Sequence, residues 1–135
     1  MGHGKDLWDQ WETLVNKQDW AGAALLFNSD GVYLSPIGRH EGREAIGAFF
    51  AELGKASEVS IETSLVLEDG NNLVAEWTDR TTVTGSTTMP DGTEIAAAGR
   101  ALELAGVTVA TVTDGKFTTM REYFDSATLT SQLSG

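Results

Sequence analysis

The hydrophobic pattern of this 135-residue chain changes its period once, near residue 58. Before that point, apolar residues recur at spacings of three and four, which is the pattern of amphipathic helices. After it, segments rich in β-branched and aromatic residues are separated by turn residues, which is the pattern of hairpin-linked strands. Helices followed by a run of strands predict an α+β fold, in which an antiparallel sheet has helices on one side.

The part before residue 58 predicts three helices and one short strand. The second helix is short, with Asp19 as its N-cap, and the third covers residues 43–54 and ends at Gly54. A strand closed by Pro36 lies between them. The apolar face of the first helix comprises Leu7, Trp8, Trp11, Leu14 and Val15.

The rest of the chain predicts four strands, over residues 58–68, 71–83, 100–112 and 116–124. Asp-Gly pairs between them are typical of hairpin turns, residues 85–99 form a longer connection, and a short helix follows Asp125. A sheet of this kind, strongly curved around helices, leaves a cone-shaped apolar pocket. Such pockets are the usual place for a small-molecule ligand.

Composition excludes several classes of function. A net charge of −11 disfavours nucleic acid and anionic membranes as partners, because both need a basic surface. The absence of cysteine removes disulfides and thiolate zinc sites, and two histidines do not make a metal triad.

With no signal peptide and no apolar run of membrane length, we expect one domain over residues 1–135, in the cytoplasm, without metal or cofactor.

Two carboxylates near the end of the chain are candidates for chemistry. Strand alternation places Glu122 on the same face as Met120 and Phe124. A carboxylate between large apolar side chains has a perturbed pKa if that face is buried, as a general acid or base needs. Asp125 stands where the strand ends and a helix begins. We therefore predict chemistry for Glu122 and a helix cap for Asp125.

Arg80 is the candidate partner of Glu122, and alternation leaves its orientation open. One face of the strand at residues 71–83 carries Arg80 together with Glu76 and Thr82, and the other face carries Trp77 and Asp79. If the first face lines the pocket, Arg80 could hold Glu122 ionised through a bidentate ion pair. If the more apolar second face does, Arg80 is an ordinary solvated arginine.

Three segments resemble the nuclear transport factor 2-like superfamily in its SnoaL-like branch. They are WAGAALLFNSDGVYLSPIG, GREAIGAFF and DGKFTTMREYFDSATLTSQL, and with their order and spacing the resemblance spans nearly the whole chain. It implies a cone-shaped, cystatin-like α+β barrel, a central apolar pocket and a homodimer formed through the outer face of the sheet.

Two enzyme types in this superfamily can be compared by position. Ketosteroid isomerases carry an Asp base, a Tyr and a second acid where this chain has Ser35, Trp11 and Thr108, so their chemistry is not expected here. Limonene epoxide hydrolases are similar at MREYFD. That similarity implies the water-activating carboxylate at Glu122, the pocket arginine at Arg80 and the first-strand tyrosine at Tyr33, and it favours the first face as the pocket wall.

The same comparison places the second carboxylate of the epoxide hydrolases at Thr82 and their water-orienting Asn at Ser35. The acid is therefore missing unless Glu76 replaces it. SnoaL-like polyketide cyclases need only one carboxylate, which fits this chain better.

We accordingly expect a cofactor-independent cyclase or isomerase acting on a polyketide-like or terpenoid-like molecule. An epoxide hydrolase and a non-catalytic binding protein are the alternatives. Glu122 and Arg80 are the expected catalytic residues; the expected substrate contacts are Trp11, Tyr33, Ser35, Thr82, Met120 and Phe124.

Overall fold

The structure is a computed structural model that describes residues 3–88, 92, 94–96 and 98–134. Four helices and eight strands follow one another along these residues. The order is α1 His3–Asn16, α2 Trp20–Ala24, β1 Phe27–Ser35, β2 Gly38–Glu41, α3 Arg43–Ala56, β3 Ser57–Asp69, β4 Asn72–Val83, β5 Ser86–Thr88, β6 Glu94–Ala96, β7 Ala101–Thr113, β8 Lys116–Tyr123 and α4 Ser126–Ser134. The predicted α+β class is confirmed.

Six of the strands form one curved, open sheet in the order β2-β1-β8-β7-β4-β3. All neighbours are antiparallel except β1 and β8, which run parallel. The predicted turns have the backbone that their residues favour, because Gly70, Asp114 and Gly115 all have positive φ. The predicted connection at residues 85–99 lies partly outside the described residues; its described parts include the small β5–β6 ladder.

Helices α1 to α3 pack on one face of this sheet and enclose an aromatic core. The predicted apolar face of α1 is confirmed, with Trp8 and Val15 as its most buried members and Trp11 also buried. Asp19 caps α2 as predicted, since its Oδ1 accepts a hydrogen bond of 2.9 Å from the Gly22 amide. The core thus forms one wall of the space between helices and sheet.

The predicted end of α3 at Gly54 is wrong, because the helix continues to Ala56. Gly54 instead lies under the ring of Trp20. A Cβ at this position would be 2.5 Å from the Trp20 Cδ1 atom, so the missing side chain makes room for the indole. The glycine serves the packing of α2 against α3.

Helix α4 covers the part of β7 that extends beyond β8. Strand β8 pairs with β7 only from Val107 onward. Next to the earlier residues, Gln132 Oε1 accepts from the Glu103 amide at 2.8 Å, and Gln132 Nε2 donates to the Glu103 carbonyl at 2.9 Å. The side-chain amide of Gln132 therefore takes the place of a neighbouring strand and holds α4 at one end of the sheet.

Candidate active site

A cavity of about 720 Å³ lies between the concave face of the sheet and the helices. It is large enough for a drug-sized molecule. Aromatic rings form much of its wall, and α4 contributes Leu129 and Leu133 at one end. The aromatic side chains that line it are Trp8, Trp11, Trp20, Tyr33, Phe49, Phe50, Trp77 and Phe124.

The Glu122 carboxyl lies in this cavity and is hydrogen-bonded to the phenol of a tyrosine side chain. Strands β1 and β8 are neighbours, and Tyr33 pairs with Met120, which lies two residues before Glu122 on the same face of β8. The Tyr33 hydroxyl donates a hydrogen bond to Glu122 Oε1. Sequence reasoning predicted both residues as site residues, and the structure brings them together.

Burial controls the titration of this pair. Removal from water raises the pKa of Glu122 to about 7; the hydrogen bond from Tyr33 opposes that rise, and the negative charge of Asp79 adds to it. Burial and the nearby Glu122 carboxylate raise the pKa of Tyr33 well above its ordinary value. At neutral pH the phenol therefore stays protonated and remains a donor, while Glu122 exchanges readily between its two forms.

Asp79 is the site residue that sequence reasoning missed. It lies on β4, lines the same cavity, and accepts a hydrogen bond from the Thr81 hydroxyl. Burial raises its pKa, and the Thr81 hydrogen bond partly offsets this. The available signal was its place on the apolar face of β4, beside Trp77. The interior of the cavity thus contains two carboxyl groups, Asp79 and Glu122, in addition to the exposed Glu52 at its mouth.

The predicted pairing of Arg80 with Glu122 is wrong. Arg80 points to the outer face of the sheet, where its Nε lies 3.6 Å from Glu103 Oε2 and its side chain is 54% exposed. Thr82 and Glu76 share this outward face and are exposed, so neither lies at the cavity. The second, more apolar face of β4 lines the cavity, because the alternation that exposes Arg80 turns Trp77, Asp79 and Thr81 inward.

The other predicted contacts divide into cavity and core. Trp11, Ser35 and Phe124 line the cavity. Met120 is fully buried in the core and does not line it, so its predicted contact with a ligand is wrong. Thr108 is also buried, and its hydroxyl accepts a 2.8 Å hydrogen bond from Trp77 Nε1.

Asp125 is a helix cap, as predicted. Its Oδ1 accepts from the Ala127 amide and its Oδ2 from the Thr128 hydroxyl, both at 2.9 Å. The hydrogen bond from Thr128, followed by that from Ala127, lowers the pKa of this carboxyl. Of the two carboxylates near the end of the chain, Glu122 therefore lies inside the cavity, and Asp125 lies outside it and caps α4.

Within the described part of the chain, no group of three or more His, Asp or Glu side chains is placed to hold a metal ion. None of the described helices is long and apolar enough to cross a membrane.

A family model for the SnoaL-like domain matches residues 8–120. The chain belongs to this family. A search of the curated proteins found no match.

Solved structures from three bacteria have the same fold as this SnoaL-like domain. A candidate polyketide cyclase from Pseudomonas putida superposes with a TM-score of 0.87 at 17% identity, covering 98% of each chain. One from Xanthomonas campestris gives 0.84 at 20% identity, covering 97% of this chain and 96% of that chain. An LEH-like epoxide hydrolase from M. tuberculosis gives 0.78 at 16% identity, covering 98% and 90%. At these identities the likeness shows the fold alone.

Proposed function

We propose that this SnoaL-like protein is a cofactor-independent enzyme that transfers a proton on a hydrophobic, polyketide-like or terpenoid-like molecule, with Glu122 as the general base. The observation that supports the proposal is the place of the Glu122 carboxyl, inside an aromatic cavity and hydrogen-bonded to a phenol. The chain acts as a single domain in this proposal.

The chemistry follows from the burial of Glu122. A base is most effective when its pKa lies near the working pH, and burial raises that of Glu122 to about 7. The carboxylate would take a proton from a carbon next to a carbonyl; the C–H electron pair would become the C=C bond of an enolate, and the carbonyl π pair would move to the oxygen. Tyr33 orients the carboxylate, because its hydroxyl binds the Oε1 atom. Ring closure or isomerisation would follow from the enolate.

Deuterium exchange tests this step without knowledge of the natural product. A panel of hydrophobic 1,3-dicarbonyl compounds is incubated with the protein in deuterated buffer, and loss of the α-proton signal is followed by NMR. We expect exchange above background for at least one compound. Replacing Glu122 by Gln should slow it ~10²–10⁴-fold, which is the usual worth of a general base.

Glu62→Gln is the matched control, since Glu62 is exposed on β3. It should exchange at the wild-type rate. Equal rates in wild type and Glu122→Gln would contradict the assignment of the base. Saturable binding of the panel without exchange would indicate a binding protein instead.

Epoxide hydrolysis is the second candidate, and Asp79 favours it. Opening an epoxide at neutral pH needs an acid as well as a base, and the cavity holds a second carboxyl whose pKa is raised by burial. A monoterpene epoxide in ¹⁸O-labelled water separates the two reactions, because hydrolysis adds one labelled oxygen and ring closure adds none. This candidate requires that Asp79→Asn and Glu122→Gln each abolish diol formation.

A further inference from the structure

Within the described part of the chain, Asp79 and Glu122 have no basic neighbour in the cavity that could neutralise them. Among the described residues that line the cavity, Lys55 is the only basic one. Its ammonium lies 3.2 Å from Glu52 Oε1 on α3, and its side chain is 73% exposed. It therefore lies at the mouth of the cavity, in water, and cannot balance charge at Asp79 or Glu122.

The strands beside Asp79 do not supply a cation either. Its partners across the sheet are Ile61 on β3 and Leu104 on β7, and both are apolar side chains that line the cavity. The charged or titratable groups that face it from the other packed elements are Glu122 on β8 and Tyr33 on β1. Neither of these groups carries a positive charge that would stabilise the ionised form of Asp79.

Among the described residues, Asp79 also keeps unused hydrogen-bond capacity. An ionised carboxyl offers about four acceptor sites, and within this part of the chain the Thr81 hydroxyl fills one at Oδ1. A partly buried carboxylate in this condition favours a ligand that brings both a positive charge and N–H donors. The Trp77 and Phe124 rings, which line the same cavity, are also suited to a cation, because the faces of aromatic rings carry negative charge.

We propose that the cavity selects its ligand by charge, and that it takes a hydrophobic molecule bearing a protonated amine, with the ammonium at Asp79. The inference deepens the proposed function and rests on it in one respect, that Glu122 is left free to act on another atom of the same molecule. Carboxylates and phosphates of similar shape are disfavoured, because they would add negative charge beside Asp79 and Glu122.

Three probes with one carbon cage test the proposal by isothermal titration calorimetry at pH 8. They are 1-adamantylamine, 1-adamantanol and adamantane-1-carboxylate. We expect the amine to bind about tenfold more tightly than the alcohol, because both can donate a hydrogen bond to the Asp79 carboxylate but only the ammonium adds a charge–charge attraction. The carboxylate should bind more weakly than the alcohol. This comparison needs no variant.

A variant pair then locates the ammonium. Asp79→Asn should reduce the affinity for the amine to that for the alcohol, while the matched control Asp9→Asn, on the exposed side of α1, should keep the tenfold difference. The proposal is overturned if the carboxylate binds as tightly as the amine, if the amine keeps its advantage in Asp79→Asn, or if none of the probes binds at millimolar concentration.

These results are distinguishable from failure of the proposed function. If the amine has no advantage but deuterium exchange still depends on Glu122, only the inference about charge is wrong. If the amine binds through Asp79 but exchange does not depend on Glu122, the base assignment is wrong and the charge preference stands. Strong amine binding also counts against the epoxide candidate, which needs Asp79 protonated.

Discussion

The Tyr33–Glu122 hydrogen bond makes a prediction at the scale of single residues. Because this bond lowers the pKa of Glu122, Tyr33→Phe should raise that pKa above its value of about 7. The measurement is a pH titration of the Glu122 carboxyl carbon by ¹³C NMR, with Glu122→Gln used to assign the signal.

Tyr123→Phe is the control, because Tyr123 lies on the same strand as Glu122 but is 54% exposed. It should leave the titration of Glu122 unchanged. A Tyr33→Phe protein in which Glu122 titrates at or below the wild-type midpoint would mean that the phenol does not stabilise the carboxylate.

Strand alternation predicts which residues share a face of the sheet, but it does not predict which face is buried. Glu122 follows from its place between two large apolar residues on one strand face. On β4 the same rule shows that Arg80 and Asp79 lie on opposite faces, but it does not say which face is inside. The apolar content of the face with Trp77 was the correct guide. The resemblance to epoxide hydrolases pointed to the other face, and Asp79 was missed for that reason.

At the scale of an element, α3 contains two glycines with opposite expected effects. Gly47→Ala should stabilise the protein by about 0.5–1 kcal/mol, because a Cβ there meets the Ala24 Cβ at an ordinary 3.7 Å and alanine favours helices. Gly54→Ala gains the same propensity but places a Cβ 2.5 Å from the Trp20 ring, so it should be destabilising. Urea unfolding of both variants measures the difference. A stabilised Gly54→Ala protein would show that Trp20 moves freely.

Strand β8 shows why element boundaries and faces are harder to predict than element types. Strict alternation places Phe117 on the face opposite Met120, yet both are fully buried. The pairing of β7 with β8 shifts register between Thr111 and Val112, which turns Phe117 inward as well. Likewise, the parallel pairing of β1 with β8 depends on contacts between distant segments, and local patterns carry no information about it.

At the scale of the whole molecule, the burial that makes Glu122 a better base also lowers the stability of the folded protein. A buried carboxyl with a raised pKa is a better base near neutral pH, but its ionised form destabilises the folded state. The other shifted groups act on stability in both directions: burial raises the pKa of Asp79 and lowers that of His40, and hydrogen bonds lower that of Asp125. A comparison of wild type with Glu122→Gln removes these common contributions.

The stability difference between these two proteins should therefore depend on pH in one direction. Glu122 has an ordinary pKa of 4.5 when unfolded and about 7 when folded, so the folded state binds the extra proton between these values. The wild type should lose free energy of unfolding relative to Glu122→Gln as pH rises from about 4.5 to about 7, by on the order of 3 kcal/mol. Above pH 8 the difference should be constant. Urea unfolding at several pH values measures this difference, and the control Glu62→Gln should follow the wild type. If the stabilities of wild type and Glu122→Gln changed in parallel with pH, the pKa of Glu122 would not be raised in the folded state.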